Sequence, residues 1–272
     1  MTFWLRLNMF FRSFFLQSGW NYVRYQNLGF AFVMMPFLRR LYQQDPGMLP
    51  TVLQRYLEAF NTHPVMASFC FGAMAKQEES VARTTGVAEY KEQVAEWSGS
   101  RRGLSITAAS IGDRLFWGAL KPLTLLLAVL IWMVLDVNFF EVDRLGSCSA
   151  WYAFSAGAAA FFIYNSIALF VRWQGLKIGY ESDEKSCFGL TRFDWNRTIY
   201  KAKRIGLFCA VGLILFGLYR YFGRMSFSLE FAARALLAVF FILLSFFTRR
   251  MRIPNVYLYL TAAVVFAVAC MI

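Results

Sequence analysis

The sequence has little histidine and little charge. His63 is the only histidine among 272 residues, and charged residues make up 16% of the chain, against about a quarter in ordinary globular domains. The five cysteines lack the spacing of metal ligands or redox pairs. No serine–histidine–acid order, carboxylate pair or phosphate-binding glycine loop is present either. We therefore expect no catalytic residues, no metal site and no cofactor, and any bond-making chemistry would belong to another polypeptide.

Apolar residues dominate instead. They account for 58% of the chain and include 30 phenylalanines, more than one water-soluble core is expected to bury. The composition predicts an all-α integral membrane protein in contact with the lipid bilayer. The net charge of +12 is explained by cytoplasmic loops rich in lysine and arginine. Nucleic-acid binding is not expected, because no basic run is interleaved with a recognition module.

The N-terminal part, residues 1–104, lacks an apolar run long enough to span a bilayer. Phe3–Phe15 places aromatic side chains on one helical face, which favours an amphipathic helix lying flat in the headgroup layer, or else a surface helix of a soluble domain. Leu28–Leu38 and Val65–Ala75 have about half of the roughly 20 residues that a span needs. They are predicted to be re-entrant or interfacial segments, or helices packed against protein. Lys76–Trp97 has the period of a cytosolic amphipathic helix or helix pair.

The remaining part, residues 105–272, is predicted to be a transmembrane region of about five helices. The loop Asp136–Ser149 is acidic and should lie outside, whereas Arg172–Arg204 and Arg249–Arg252 are basic and should lie in the cytoplasm. This orientation also places the N-terminus in the cytoplasm. The predicted spans are Leu115–Leu135, Ala150–Val171, Ile205–Phe222, Phe231–Phe247 and Pro254–Ile272.

The only histidine lies in the polar phrase Asn61-Thr62-His63-Pro64. One interpretation is a polar cluster at the tip of a broken helix, where the imidazole could bind a hydroxylated ligand or a partner subunit. The other is an ordinary N-cap, with Asn61 or Thr62 capping a helix that begins at Pro64. Both interpretations can hold at once.

Two further groups of ionisable residues lie close to predicted spans. Asp113 and Lys121 bracket the start of the first span, where charges usually have functional or inter-subunit roles, the alternative being a local ion pair of Asp113 with Arg114 and a snorkelling lysine. Arg172 and Trp173 end the second span and are typical of a membrane-interface anchor, with a substrate role as the alternative.

These phrases together resemble one known family. The phrases Arg12–Phe30, "FNTHPVM" at Phe60–Met66, "IGDRLFWGALKPL" at Ile111–Leu123 and "NSIALFVRWQGLKIGY" at Asn165–Tyr180 occur in the family's order. They are similar to the IID membrane subunit of the mannose/fructose/sorbose family of the bacterial phosphoenolpyruvate:sugar phosphotransferase system. The resemblance covers nearly the whole chain and implies a single IID-type domain with an inverted-repeat-like architecture.

The resemblance also implies partners. A IID subunit pairs with a IIC subunit in the inner membrane, and multimers of IIC–IID units move a hexose by an elevator-like shift. Soluble IIA and IIB proteins carry the phosphate, so the IID subunit itself is not phosphorylated. Carried over to this chain, the resemblance gives residues for transport or subunit coupling: Asn61, His63, Asp113, Trp117 and Lys121.

The sequence departs from the family pattern at several positions. Val23 stands where a glutamate is expected, and Arg114, Ala119 and Lys121 change the Gly-Asp motif "GDSLFWGTLRP". A family insertion between the last spans is replaced by the short segment Tyr219–Leu229. These departures leave open an alternative function, that of a divergent IID-like regulatory or structural membrane protein that no longer transports sugar.

Overall fold

The computed structural model describes residues 1–84, 86–135 and 147–222. Apart from isolated β-bridges, all regular secondary structure in these ranges is helical. This confirms the predicted all-α class. The chain divides into two compact units, Met1–Leu213 and Ile214–Ile272. The second unit is described only by the last turns of one helix.

Eight α-helices and one π-helical stretch form the long elements of the described residues. They are α1 (Phe3–Ser13), α2 (Asn27–Leu41), α3 (Leu49–Tyr56), α4 (Ala67–Arg83), α5 (Val87–Gly112), the π-helix (Asp113–Leu120), α6 (Lys121–Leu135), α7 (Ser147–Glu181) and α8 (Trp195–Phe222). Short 3₁₀ turns precede α3 and α8.

The N-terminal helices form where the sequence predicts them. α1 covers most of Phe3–Phe15, and its Trp4 and Phe11 side chains are exposed, as a lipid-facing helix would require. α2 contains the whole apolar segment Leu28–Leu38 and continues through Pro36 without a break. The flat orientation of α1 in the headgroup layer remains a prediction.

α4 and α7 cross in close contact within the first unit. Ser68 and Gly72 on α4 are four residues apart, and so are Gly175 and Gly179 on α7. A methyl group added to Gly72 would overlap the backbone of α7, and one added to Gly179 would overlap the carbonyl oxygen of Phe69. The two small-xxx-small pairs therefore bring the helix backbones into direct contact, as in many membrane helix pairs.

α5, the π-helix and α6 form one uninterrupted helical rod. Two helical stretches within the described residues are long and apolar enough to cross a membrane, Val87–Leu135 and Ala150–Glu181. They contain the predicted spans Leu115–Leu135 and Ala150–Val171. α8 contains the predicted span Ile205–Phe222 but does not meet the same criterion. Phe231–Phe247 and Pro254–Ile272 lie outside the described residues, so the number of spans remains a prediction.

Lys76–Trp97 is divided between α4 and α5, which meet near Gly86, in agreement with a helix pair. α5 continues through residues 104 and 105, and the division of the chain into two regions there remains a prediction. α5 continues there because Arg101 and Leu104 are buried against its neighbours, and buried contacts outweigh the helix-weakening glycines around them.

Candidate functional site

Hydrogen bonds to its backbone hold the segment Phe60–Met66 in place before α4. The side-chain oxygen of Gln26 accepts a hydrogen bond from the Thr62 amide at 3.0 Å, and the Gln26 side-chain nitrogen donates to the Thr62 carbonyl at 3.0 Å. The Gln26 amide donates to the carbonyl of Phe60 at 2.8 Å, and the Thr62 hydroxyl donates to the Ser105 carbonyl on α5 at 2.9 Å. One buried glutamine thus fixes a non-helical segment that would otherwise leave polar backbone groups unsatisfied.

The structure of this segment tests one of the two interpretations of the histidine phrase, the N-cap. α4 begins at Ala67, and its N-cap residue Met66 makes no side-chain capping bond. Thr62 uses its hydroxyl on α5, and Asn61 is exposed. The N-cap interpretation is therefore wrong, because Pro64 lies in a turn that precedes the helix.

His63 is buried in the middle of this segment, with 3% of its surface exposed. Its ring stacks on Phe116 at a centroid distance of 5.0 Å and meets Trp117 edge-on at 5.1 Å. Gly112 lies against the imidazole so closely that a methyl group there would overlap it. The Gly-Asp motif and the histidine phrase, about fifty residues apart in sequence, therefore form one packed cluster of His63, Gly112, Phe116 and Trp117, called here the histidine cluster.

The hydrogen bonds of His63 define its tautomer. Nδ1 accepts a hydrogen bond from the Val65 amide at 3.3 Å, so in the neutral ring the proton lies on Nε2. Nε2 is buried and has no hydrogen-bond partner among the described residues. A buried donor without a partner is costly, so Nε2 is the unsatisfied atom of this ring among the described residues.

Burial and the positive charge of Arg172 lower the pKa of His63 from 6.5 to about 4. The unfolded chain binds this proton more readily between those two values, so stability should fall as the pH drops from 6.5 towards 4. The difference corresponds to about 3 kcal/mol. We expect the unfolding free energy of the wild type to fall by this amount relative to His63→Gln, measured by denaturant titration in detergent from pH 7 to pH 4. A difference independent of pH would contradict the burial of a neutral imidazole.

The π-helix presents the other predicted residues to the surface. Asp113, Trp117 and Lys121 are spaced four residues apart, which places them near one face of the rod, and all three are exposed, Trp117 by 53%. No ion pair joins Asp113 to Arg114 or Lys121 within the described residues. Single-turn π-helical insertions are frequent at functional sites. Asp113, Trp117 and Lys121 are called here the exposed strip, and Trp117 links this strip to the buried His63.

Arg172 and Trp173 contact the N-terminal helix. Arg172 is buried and donates to the carbonyl and hydroxyl oxygens of Ser13 at 2.7 and 3.0 Å. Its guanidinium lies 4.7 Å from the ring centroid of Phe14. Trp173 packs edge-on against Phe10 at 5.3 Å. These contacts fasten α1 to α7, while anchoring at the membrane interface remains a prediction.

A second polar cluster was not predicted from the sequence. Glu78 on α4 is fully buried and accepts hydrogen bonds from the hydroxyls of Tyr42 and Tyr56 at 2.7 and 2.8 Å. It also pairs with the guanidinium of Arg55, which in turn donates to the Tyr90 hydroxyl at 3.2 Å. The signal was available, because Glu78 occupies the same helical face as the apolar residues of α4.

The chemistry of this cluster is structural. Burial and then the neighbouring Glu78 carboxylate raise the pKa of Tyr42 and Tyr56 above the usual value of 10, so both remain donors. Burial opposes the charge of Arg55, but the Glu78 carboxylate outweighs this and raises the Arg55 pKa above its ordinary value. The cluster joins the end of α2, α3, α4 and α5.

Comparison with known proteins supports the family resemblance. The family model described as "PTS system mannose/fructose/sorbose family IID component" matches residues 5–136. The "Fructose permease IID component" of Bacillus subtilis (strain 168) is 34% identical over 64% of this chain and 54% of its own length. The "PTS system mannose-specific EIID component" of Escherichia coli (strain K12) is 31% identical over 63% of this chain and 53% of its own length. The chain thus spans about half the length of these relatives.

Two solved structures share the fold. A structure described as "Structure of membrane protein" has a TM-score of 0.56 and 27% identity, covering 78% of this chain and 70% of its own. The structure of "Mannose Transporter ManYZ and Microcin E492 (MceA) complex" has a TM-score of 0.52 and 20% identity, covering 100% of this chain and 97% of the matched chain. The second likeness concerns the fold alone.

The matched residues 5–136 include the Gln26, His63 and Gly-Asp elements that the structure brings together. The resemblance read from the sequence is therefore confirmed: the chain is similar to the IID components of the mannose/fructose/sorbose family of the phosphotransferase system.

Proposed function

We propose that the chain is the membrane IID subunit of a mannose-type sugar phosphotransferase permease. It pairs with a IIC subunit in the inner membrane and helps to move a hexose, which a separate IIB protein phosphorylates with phosphate from IIA. The relatives are named for fructose, mannose and sorbose, which supports a hexose without choosing one. The chain itself contributes no reacting group.

The histidine cluster carries this proposal. A non-helical segment is accepted at membrane depth only where it is packed in protein or faces a water-filled cavity. Here Gln26 satisfies that segment's backbone on one side, and His63 packs against the Gly112–Trp117 turn on the other. His63 retains an unpaired Nε2 donor within the described residues. The backbone of this segment is fixed by hydrogen bonds, whereas the Nε2 donor of His63 has no acceptor in the described part of the chain. This combination suits a contact with a ligand or a partner subunit.

The exposed strip supplies the complementary surface. Asp113 and Lys121 provide opposite charges on either side of Trp117, and ionisable groups near a span usually serve translocation or subunit contact. Asn61 is exposed at the start of the same segment as His63. We assign these residues to coupling with IIC, within oligomers of IIC–IID units that have a cytoplasmic N-terminus and several membrane spans.

The decisive experiment compares cells that have and lack this chain while its partner proteins are present. Phosphoenolpyruvate-dependent uptake of mannose, fructose and sorbose should be lost without it and restored by the wild type. If uptake of every hexose tested is unchanged in its absence, transport is the wrong function.

Replacing Lys121 by glutamine should reduce the restored uptake by roughly tenfold, since a charge-assisted contact is worth about 1.5–3 kcal/mol. Lys121 is exposed, so the thermal stability of the purified protein should be unchanged. Lys91→Gln is the matched control, because Lys91 is an exposed lysine on α5 outside the strip. Equal uptake by the two variants would contradict the role given to Lys121.

A second candidate is a regulatory or structural IID-like protein that does not transport. It is favoured by Arg114, an exposed cation inside the Gly-Asp motif next to the strip. Phosphorylation of a hexose across the vesicle membrane by the purified complex with IIA and IIB would exclude this candidate. Binding to IIC without such phosphorylation would support it.

A further inference from the structure

A basic cleft lies apart from the histidine cluster. It has a volume of about 660 Å³ and opens between the loop before α2, the end of α3 and the middle of α5. Its charged lining consists of Arg24, Arg101 and Arg102 with the single carboxylate Glu58, a net charge of +2. The volume lies in the usual range for small-molecule sites of about 300–1,000 Å³.

Arg101 forms the inner wall of the cleft and is held rigidly. Only 1% of its surface is exposed. One terminal nitrogen donates to the carbonyl of Arg55 at 3.0 Å and the other to the Glu58 carboxylate at 2.6 Å. Its Nε is buried and has no acceptor among the described residues. The ring of Trp97, 5.2 Å away, restricts the guanidinium further.

The two outer arginines keep donors available. Arg24 donates one hydrogen bond, to the carbonyl of Leu57 at 3.1 Å, and this leaves most of its five N–H groups unused. The guanidinium of Arg102 is exposed and makes no hydrogen bond or ion pair within the described residues. Arg24 and Arg101 also satisfy carbonyls at the end of α3, but this structural task uses only a few of their donors.

We infer that this cleft binds a phosphomonoester group. A phosphomonoester carries a charge of about −1.5 to −2 at neutral pH, which matches the net charge of the lining. Guanidinium forks bind tetrahedral phosphate oxygens through paired hydrogen bonds. The cleft is larger than a bare phosphate, so the organic part of the ester would lie along Val23 and Leu57. The same chemistry is offered by a free sugar phosphate and by the headgroup of phosphatidic acid.

The inference goes beyond the proposed function, because it involves none of the residues of the histidine cluster or the exposed strip. It does not require transport. A protein that fails the uptake experiment could still bind the phosphomonoester, and a transporting protein could lack this site. The two proposals can therefore fail separately.

The test uses the full chain in nanodiscs of zwitterionic lipid. One arm titrates glucose 6-phosphate by calorimetry, and the other adds phosphatidic acid to the nanodiscs and counts the lipids retained by native mass spectrometry. Arg102→Gln should weaken binding by roughly tenfold in the arm that shows binding. Arg39→Gln is the matched control, since Arg39 is an exposed arginine on α2 outside the cleft.

Glu58→Gln should act in the opposite direction. It removes the only carboxylate of the lining, while its amide oxygen can still accept the bond from Arg101, so phosphomonoester binding should tighten several-fold. Binding in the titration arm identifies a free ester, and binding in the lipid arm identifies a headgroup. No binding in either arm, or binding that Arg102→Gln and Arg39→Gln change equally, would overturn the inference.

Discussion

Replacing Gly179 by alanine is expected to destabilise the protein by about 3 kcal/mol or more, the upper range for overpacking. The added methyl group would overlap the carbonyl oxygen of Phe69 and press on the Ala73 amide. Both atoms belong to the backbone of α4, so no side-chain rotation can relieve the overlap. The helices must move apart along a crossing where a methyl group on Gly72 would likewise overlap the backbone of α7.

The matched control is the same substitution at Gly157. This glycine lies on the same helix α7 and would place its methyl group in open space, with nothing within 4 Å. Because alanine favours a helix over glycine by up to about 1 kcal/mol, Gly157→Ala should be neutral or stabilising. The free energy of unfolding, measured by detergent titration with circular dichroism, should therefore fall for Gly179→Ala and stay level or rise for Gly157→Ala. Equal effects would show that the crossing is looser than described.

The crossing illustrates which part of the fold the sequence could predict. Small residues at a spacing of four were visible in Ser68–Gly72 and Gly175–Gly179, and this spacing is a known signal of close helix packing. It does not say which two helices meet, because any span with such a pair could be the partner. The helical class and the two strongest spans, in contrast, follow from composition and run length alone.

The sequence offered candidate residues for a site but no geometry for them, and their roles remain predictions. His63 and Trp117 were chosen from separate phrases, and the structure places their rings 5.1 Å apart. The stack on Phe116 and the π-helical turn have no signal in local periodicity, since an α-helix fits the same apolar pattern. Asn61, Asp113 and Lys121 are exposed among the described residues, which leaves their side chains accessible there.

Glu78 is the clearest case of a missed residue. The segment Lys76–Trp97 was interpreted as an amphipathic helix or helix pair, and its Glu92 is indeed exposed. Glu78 instead lies one turn from Met74 and next to Val81 on the buried face. A carboxylate on an apolar stripe requires a cation or several donors, and only the tertiary structure shows that Arg55, Tyr42 and Tyr56 provide them.

Replacing Glu78 by alanine is therefore expected to cost about 3–5 kcal/mol of unfolding free energy. The change leaves the Arg55 guanidinium buried without its counter-charge and leaves two buried hydroxyls without their acceptor. Glu92→Ala, on an exposed face of α5, is the matched control and should change stability by less than about 0.5 kcal/mol. The measurement is the same unfolding titration, at pH 7.

A double-mutant cycle separates the lost charge pair from lost packing. If the cost of Glu78→Ala comes mainly from the unpaired Arg55, then adding Arg55→Met should recover at least about 2 kcal/mol, because a buried ion pair can be replaced by apolar residues with little loss. If the costs of Glu78→Ala and Arg55→Met simply add, then the lost tyrosine hydrogen bonds and the cavity account for most of the cost of Glu78→Ala. Recovery matters for function as well: Arg101 donates to the Arg55 carbonyl and lines the basic cleft. A variant that regains stability but shifts phosphomonoester affinity would tie the Glu78 cluster to that cleft.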